Sequence, residues 1–136
     1  MRIVLAVIIS LIAGAAHAQS PADRTAIESA ITQQLEAFKK DDAKTAWAQA
    51  SPMIQEMFGS PENFIAMVQH GYPPVYRPRQ SAFGPLVSEQ DRIIQKVEIL
   101  GPDGVNYLAL YAMEKQPDGT WKINGCQLTK SDSVGA

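Results

Sequence analysis

The sequence predicts an α+β protein in which helices come first and an antiparallel sheet follows. Three Ser-Pro pairs in the first half of the chain mark helix starts, and the apolar residues between them recur at helical spacing. After Gly71 the apolar residues alternate instead, and two Pro-Asp-Gly turns divide the later alternating stretches. Helices followed by a meander of strands is the pattern of helices packed on one face of an antiparallel sheet.

Residues 1–18 have the pattern of a secretory signal peptide. A basic start precedes an apolar run over residues 3–12, and the small residues Ala16 and Ala18 stand two apart. The run is shorter than the roughly 17 to 25 residues of a membrane-spanning helix, which favours cleavage over an uncleaved anchor. We expect cleavage between Ala18 and Gln19, and a periplasmic or secreted protein with no stable membrane anchor.

The charge and the single cysteine limit the possible classes of protein. The formal net charge of −2 becomes −3 once Arg2 leaves with the signal peptide, so we expect no nucleic-acid partner. Cys126 is the only cysteine, which excludes an intramolecular disulfide and leaves stability to packing. We expect residues 19–130 to form one domain and residues 131–136 to form a flexible tail.

Each Ser-Pro pair combines a capping serine with a proline at the first helical position, where its missing N–H is harmless. The three pairs are Ser20-Pro21, Ser51-Pro52 and Ser60-Pro61. The first helix carries an apolar stripe of Ile27, Ile31, Leu35 and Phe38 and is expected to end near Lys39-Lys40. A short helix is expected from Asp42, burying Ala46, Trp47 and Ala50.

The other two Ser-Pro pairs predict further helices, each ended by a glycine. The helix over residues 53–58 is expected to stop at Gly59, and the helix from Ser60 to His70 at a left-handed Gly71. Because prolines cannot donate ladder hydrogen bonds, Tyr72–Arg79 is predicted to be an extended or polyproline-like connector or an edge strand.

Four strands are predicted after this connector, at residues 82–88, 92–100, 105–115 and 121–129. In the last one, the step from Ile123 to Cys126 breaks the alternation of buried residues. We therefore predict a β-bulge at Asn124-Gly125 that returns Trp121, Ile123, Cys126 and Leu128 to one face. The third strand is apolar in both phases, which predicts a homodimer or other contact through the outer face of the sheet.

Two sequence blocks carry a family resemblance: GSPENFIAMVQHGYPPVYRPR and the closing ALYAMEKQPDGTWKINGCQL. Together they resemble the bacterial domain of unknown function 4864 family, and the helix-then-sheet order is similar to the nuclear transport factor two-like (SnoaL-like) superfamily. The resemblance implies a cone-shaped fold, in which a curved sheet wraps helices around an apolar pocket. That fold serves enzymes and binding modules alike, so it does not imply a function.

The proline-rich segment contains the first group of candidate ligand-binding residues. Arg77 and Arg79 are two apart and would point the same way in an extended chain, which suits a carboxylate or phosphate. Tyr72 and Tyr76 are four apart in the same segment and would offer flat faces and hydroxyl donors. The alternative is structural, with the arginines paired to acids of the same chain such as Glu62 or Glu56 and the tyrosines covering the helices.

His70 and Cys126 are the remaining reactive side chains. His70 lies at a helix C-terminus, which favours its charged form and a structural or charge-tuning role over a role as general base. It is the only histidine after residue 18, and the pair Asp41-Asp42 is typical of helix capping, so we expect neither a metal site nor a cofactor. Cys126 has no cationic neighbour in the sequence and fits a buried strand position better than a nucleophile.

The case for catalysis comes from the superfamily resemblance, which implies an acidic base paired with a donor to a developing oxyanion. Tyr107, Tyr111 and Glu114 are candidates on a central strand, but none of the acids stands in an apolar context. We therefore expect a non-catalytic module that binds a small ligand or a protein. The alternatives are a cofactor-free lyase or isomerase for a small apolar substrate, and a structural partner that docks through its sheet.

Overall fold

The computed structural model describes residues 19–131 and contains five helices followed by four strands. The helices are α1 (Pro21–Lys39), α2 (Ala43–Ala48), α3 (Pro52–Phe58), α4 (Pro61–Gly71) and α5 (Pro73–Tyr76). The strands are β1 (Gln80–Glu89), β2 (Arg92–Leu100), β3 (Asn106–Lys115) and β4 (Trp121–Lys130). The predicted α+β class and helix-first order are confirmed, whereas the signal peptide and residues 132–136 of the predicted tail lie outside the described residues.

The predicted helix starts are confirmed by their capping bonds. The hydroxyls of Ser20, Ser51 and Ser60 accept from backbone N–H groups three residues later, at 3.0, 3.3 and 3.1 Å. Asp42 caps α2 in the same way, at 3.2 Å from the nitrogen of Thr45. These bonds satisfy donors that a helix N-terminus leaves unpaired, so the boundaries follow from local chemistry.

Two predictions were wrong, one for Gly71 and one for the proline-rich segment that follows it. Gly71 lies inside α4 and does not have a positive φ, although Gly59, with φ +80°, ends α3 as predicted. Tyr72, with φ −135° and ψ 54°, separates α4 from α5, and the next four residues form the short helix α5 instead of a connector or edge strand. The two prolines occupy the first two positions of α5, where fixed φ values suit a helix and no N–H is needed.

The sheet is an antiparallel meander with the strand order β1-β2-β3-β4. In the β3–β4 ladder Ala112 pairs with Gly125 and Met113 pairs with Ile123, so Asn124 is the extra residue. The predicted bulge is therefore confirmed. Because of it, both halves of β4 contribute apolar side chains to the face that packs against the helices.

One face of the sheet packs against the helices and forms the core. The stripe predicted for α1 is buried there with residues from β2, β3 and β4, including Val97, Ile99, Ala109, Tyr111, Met113 and Ile123. The opposite face, called the outer face here, has an apolar centre of Val87, Ile94, Leu108, Leu110 and Ala112, and all five residues stay partly exposed. Among residues 19–131 the helices thus cover one side of the sheet.

Candidate cavity between the helices and the sheet

A mostly apolar cavity of about 220 Å³ lies between the helices and the inner face of β3 and β4. Its wall contains apolar side chains from four of the helices and from the two strands, and only a few polar groups. The wall residues are Gln34, Phe38, Ala50, Ile54, Met57, Phe58, Phe64, Met67, Val68, Tyr72, Val75, Tyr111, Ile123, Gly125 and Cys126.

Aromatic side chains dominate the helical side of this cavity. The rings of Phe38 and Phe58 both contact the ring of Phe64, with centroids 6.1 and 5.9 Å apart, and the Phe58 contact is edge to face. These separations are those of favourable aromatic pairs. Phenylalanine rings packed at an angle to one another therefore form much of this apolar wall.

The rim of the cavity is tied to the bulge of β4. The segment before α3 adds a parallel bridge beside β4, with Ser51 N donating to Ile123 O and Ile123 N donating to Gln49 O, both at 2.8 Å. Ser51, which is fully buried, also donates its hydroxyl proton to Oδ1 of Asn124 at 2.7 Å. The extra residue of the bulge thus holds the start of α3 in place.

The cavity reaches the protein surface along α3. Met57 lines it and is 64% exposed, and Ile54 and Phe58 beside it are only partly buried. No residue of this seven-residue helix is fully buried. The mouth is therefore formed by flexible apolar side chains on the most exposed helix that borders the cavity.

Tyr111 places a polar group on the cavity wall. The residue is 1% exposed, and its hydroxyl has no hydrogen-bond partner among residues 19–131. Burial raises the pKa of this hydroxyl well above its ordinary value, with a further contribution from Cys126. Tyr111 therefore remains protonated at neutral pH, and its hydroxyl lies beside the thiol of Cys126.

Cys126 faces Tyr111 across the β3–β4 ladder and lines the same cavity. Burial raises the pKa of its thiol to about 12, although the nearby Tyr111 hydroxyl counteracts part of that effect. The residue retains partial exposure, but the raised pKa keeps the sulfur as a neutral thiol. A thiol is a poor nucleophile and a weak acceptor, so Cys126 acts here as a small apolar wall residue.

Gln34 is a polar wall residue that the sequence analysis missed. It is 4% exposed, and its Nε2 donates to the carbonyl oxygen of Ala46 at 3.1 Å. The signal was present in the sequence, because position 34 falls seven residues after Ile27 on the apolar stripe of α1. A glutamine on that stripe must be buried, and its amide then needs partners.

The residues predicted to bind a ligand lie in four separate places. Tyr72 and Tyr111 line the cavity. Tyr76 and Arg77 lie at the C-terminal end of α1, and Arg79 and Tyr107 lie at the β2–β3 turn. His70 is exposed near the end of α4 and does not line the cavity.

Arg77 is held by groups of its own chain. It pairs with Asp41 at 2.9 Å, donates to the carbonyl of Phe38 at the end of α1, and lies over the ring of Tyr76, 4.1 Å from its centroid. The Tyr76 hydroxyl also donates to Asp41, and it lowers the pKa of that carboxyl more than Arg77 does. The contacts of Arg77 therefore match the alternative in which the arginines pair with acids of their own chain. The acid is Asp41 and not Glu62 or Glu56.

Arg79 does not join Arg77 in a common anion clamp. Its guanidinium donates to the carbonyl of Pro102 at 2.8 Å, beside the bond of 2.7 Å from the Tyr107 hydroxyl to Asp103. The expectation that the two arginines point the same way depended on an extended chain. It fails because the backbone leaves α5 at Arg77 and enters β1 at Gln80.

The acid proposed for catalysis is also displaced from the cavity. Glu114 lies opposite Lys122 in the β3–β4 ladder. It is exposed and alternates with Tyr111 along β3, so it belongs to the other face of the sheet. Within residues 19–131 the cavity wall contains no carboxylate and no imidazole. No group of three or more potential metal-ligating side chains occurs in this part of the chain.

The fold and the cavity together define a class of protein: an α+β domain that encloses a small apolar space between its helices and one face of an antiparallel sheet. The model of the family described as "Domain of unknown function (DUF4864)" matches residues 20–136, so the chain belongs to this family. No curated protein matches it. Across residues 19–131, no helix combines the length and the hydropathy required to span a membrane.

Proposed function

We propose that this protein is an exported binding module that holds one small, mostly apolar molecule in the cavity between its helices and sheet. The observation that carries the proposal is a cavity of about 220 Å³ with a mostly apolar wall that reaches the surface beside Met57. An apolar molecule gains free energy when it leaves water for such a wall.

The cavity has a size suited to a ligand with a single ring. An engineered protein cavity of about 150 Å³ stays dry and binds benzene, so the same volume per atom gives room here for about nine non-hydrogen atoms. Water is a poor occupant because most of the wall is apolar. The exposed Met57 at the mouth gives such a molecule a route of entry.

A cofactor-free lyase or isomerase receives less support from the same cavity. Such an enzyme needs a general base near the reacting carbon. Two of the wall residues, Tyr111 and Cys126, have raised pKa values and stay protonated at neutral pH. Neither of them abstracts a proton at that pH, which serves binding better than catalysis.

Mass spectrometry of the protein purified under native conditions from its exporting cell tests this proposal directly. We expect a non-covalent adduct of small mass that is lost on denaturation. The variants Val68→Phe and Ile54→Trp, which add bulk to one buried and one partly exposed wall residue, should fold and lose the adduct. An adduct of equal occupancy in both filled variants, or none in the wild type together with no stabilisation by small aromatic probes, would contradict it.

Export itself is a separate part of the proposal and rests on the pattern of residues 1–18. The intact mass of the protein recovered from the periplasm or medium measures the cleavage site. We expect a mature chain that begins at Gln19. A species that keeps residues 1–18 in the membrane fraction would contradict export as a soluble protein and would leave the binding proposal in place.

A further inference from the structure

Two methionines of α3 are the most exposed large apolar side chains of residues 19–131. Met57 is 64% exposed and Met53 is 50% exposed, and the two stand four residues apart on one side of the helix. A methionine thioether that water reaches is also open to dissolved oxidants, which convert it to the sulfoxide. Both residues are therefore chemically accessible in the folded protein.

The other two methionines of the described chain are better protected. Met67 is partly buried on the wall of the cavity, and Met113 is 6% exposed in the core. Because the oxidant must reach the sulfur atom, oxidation should follow exposure. We therefore expect the pair on α3 to react first, Met67 later and Met113 last.

Met57 and Met53 differ in their relation to the cavity. Met57 lines the cavity at its mouth, whereas Met53 is not one of the wall residues. The start of α3 is fixed to β4 through Ser51, and Met57 lies near the opposite end of the helix. A chemical change at Met57 thus alters the cavity directly, while the same change at Met53 leaves the wall as it is.

Oxidation by a peroxide makes the Met57 side chain polar without cleaving the backbone. The sulfur lone pair attacks one oxygen of hydrogen peroxide, and the S–O bond forms as the O–O bond breaks. The hydroxide that leaves takes up the proton of the new S–OH group and becomes water, so sulfur loses a pair of electrons and the peroxide gains it. The product is a polar, chiral sulfoxide, whose oxygen accepts hydrogen bonds that an apolar ligand cannot donate.

We propose that Met57 is a reversible oxidation site that regulates the cavity: its thioether favours an apolar ligand at the mouth, and its sulfoxide weakens the binding of that ligand. This inference rests on the proposed binding function and adds a means of regulation to it. Methionine sulfoxide reductases reverse the change, since the sulfoxide oxygen leaves as water while a dithiol becomes a disulfide. Cys126 is the only cysteine of the chain, so the dithiol comes from another molecule.

Peptide mass spectrometry of the mature protein, treated with increasing hydrogen peroxide, locates the reaction. We expect one added oxygen atom at Met57 and at Met53 under conditions that leave Met113 unchanged. The melting temperature of the unliganded protein should change little, because the two side chains are mostly exposed. This measurement separates an effect on binding from damage to the fold.

Calorimetric titration with isopropylbenzene, which has the size of the cavity, measures the effect on binding. We expect oxidation to weaken the affinity about tenfold, the loss of contact with one or two methylene-sized groups. Reduction with both epimer-specific methionine sulfoxide reductases and dithiothreitol should restore the affinity.

Met57→Leu and Met53→Leu form a matched pair, because each removes one oxidisable side chain from α3 and keeps an apolar one. Each variant is titrated before and after peroxide treatment, and the ratio of its two affinities is the readout. We expect the ratio to stay at about tenfold in Met53→Leu and to fall to about one in Met57→Leu.

The outcomes separate this inference from the function on which it rests. Oxidation of Met57 no faster than that of Met113 would overturn the modification site. Equal affinity of the reduced and oxidised wild type, or an equal loss of affinity in Met57→Leu, would overturn the regulatory role and leave apolar binding intact. If isopropylbenzene neither binds nor stabilises the untreated wild type, the binding function fails, and the regulation of the cavity fails with it.

Discussion

Ser51 and Asn124 are joined by a hydrogen bond of 2.7 Å that links the start of α3 to the bulge of β4. The serine hydroxyl has two roles, since it donates to Asn124 and accepts from the backbone nitrogen of Ile54. Ser51 is fully buried, so water cannot readily replace either partner. The bond therefore couples the irregular part of the sheet to the mouth of the cavity.

We expect Asn124→Ala to lower the free energy of unfolding by about 1–3 kcal/mol, because it leaves a buried hydroxyl without an acceptor. Urea unfolding measures the change. Ser60→Ala is the control, since that serine caps α4 near the surface and its loss should cost about 1 kcal/mol. An Asn124→Ala variant as stable as the wild type would show that Ser51 finds another acceptor.

Arg77→Ala should lower stability and leave ligand binding unchanged. The guanidinium joins α5 to the end of α1 through Asp41 and the carbonyl of Phe38, so its loss should cost about 1 kcal/mol after allowance for partial exposure. Arg79→Ala, which removes one exposed bond to Pro102, should cost less. Thermal melting and titration with a small aromatic probe check both variants. Lost binding at an unchanged melting temperature would instead support Arg77 as a recognition residue.

Acid should destabilise the protein through several surface carboxylates. The pKa of Asp41 is lowered first by the Tyr76 hydroxyl and then by Arg77, and the pKa of Asp23 is lowered by Trp121 and Lys115. A pKa depressed in the folded state stabilises the fold above the ordinary value of 3.8, and this contribution is lost as the pH falls through the folded-state pKa.

We therefore expect the melting temperature to fall as the pH drops below about 4, the ordinary range of an aspartate pKa. Asp41→Asn should lower stability at pH 7 and reduce the difference between pH 7 and pH 3. Glu56→Gln, at an exposed position of α3, is the matched control and should leave that difference unchanged. Equal acid sensitivity of wild type and Asp41→Asn would show that this cluster contributes nothing to the dependence.

The elements of this fold that could be predicted are those governed by local chemistry. Serine caps with a following proline fixed three helix starts, and the three-residue step from Ile123 to Cys126 located the bulge. The short helix α5 could not be predicted from the same rules, because its prolines are equally compatible with an extended chain. Contact with α1 and the rest of the fold decides between the two.

The candidate site was predicted less well, because it depends on contacts between distant parts of the chain. Of the residues predicted to bind a ligand, Tyr72 and Tyr111 line the cavity, while Gln34 was missed. The proposed arginine pair was separated by the turn of the backbone between α5 and β1. Side-chain chemistry was visible in the sequence, but the face to which each residue belongs was set by the fold.

The outer face of the sheet is expected to form a homodimer. Its apolar centre includes Leu108, Leu110 and Ala112, and both Glu89 and Arg92 stand at its edge, so two copies related by a twofold axis can pair opposite charges. We expect light scattering to give the mass of a dimer, and Leu110→Glu to give a folded monomer with an unchanged cavity. A wild-type protein that remains monomeric at high concentration would contradict the interface.

Tyr111→Phe should make the unliganded protein more stable. The change removes a buried hydroxyl that has no partner among residues 19–131, and it leaves the ring in place. Because the penalty of an unsatisfied polar group disappears, we expect the free energy of unfolding to rise by about 1 kcal/mol and the melting temperature by several degrees. Tyr107→Phe, which breaks the bond to Asp103, should change stability in the opposite direction. A loss of stability in Tyr111→Phe would show that the hydroxyl already has a partner in the unliganded protein, for which the thiol of Cys126 is the nearby candidate.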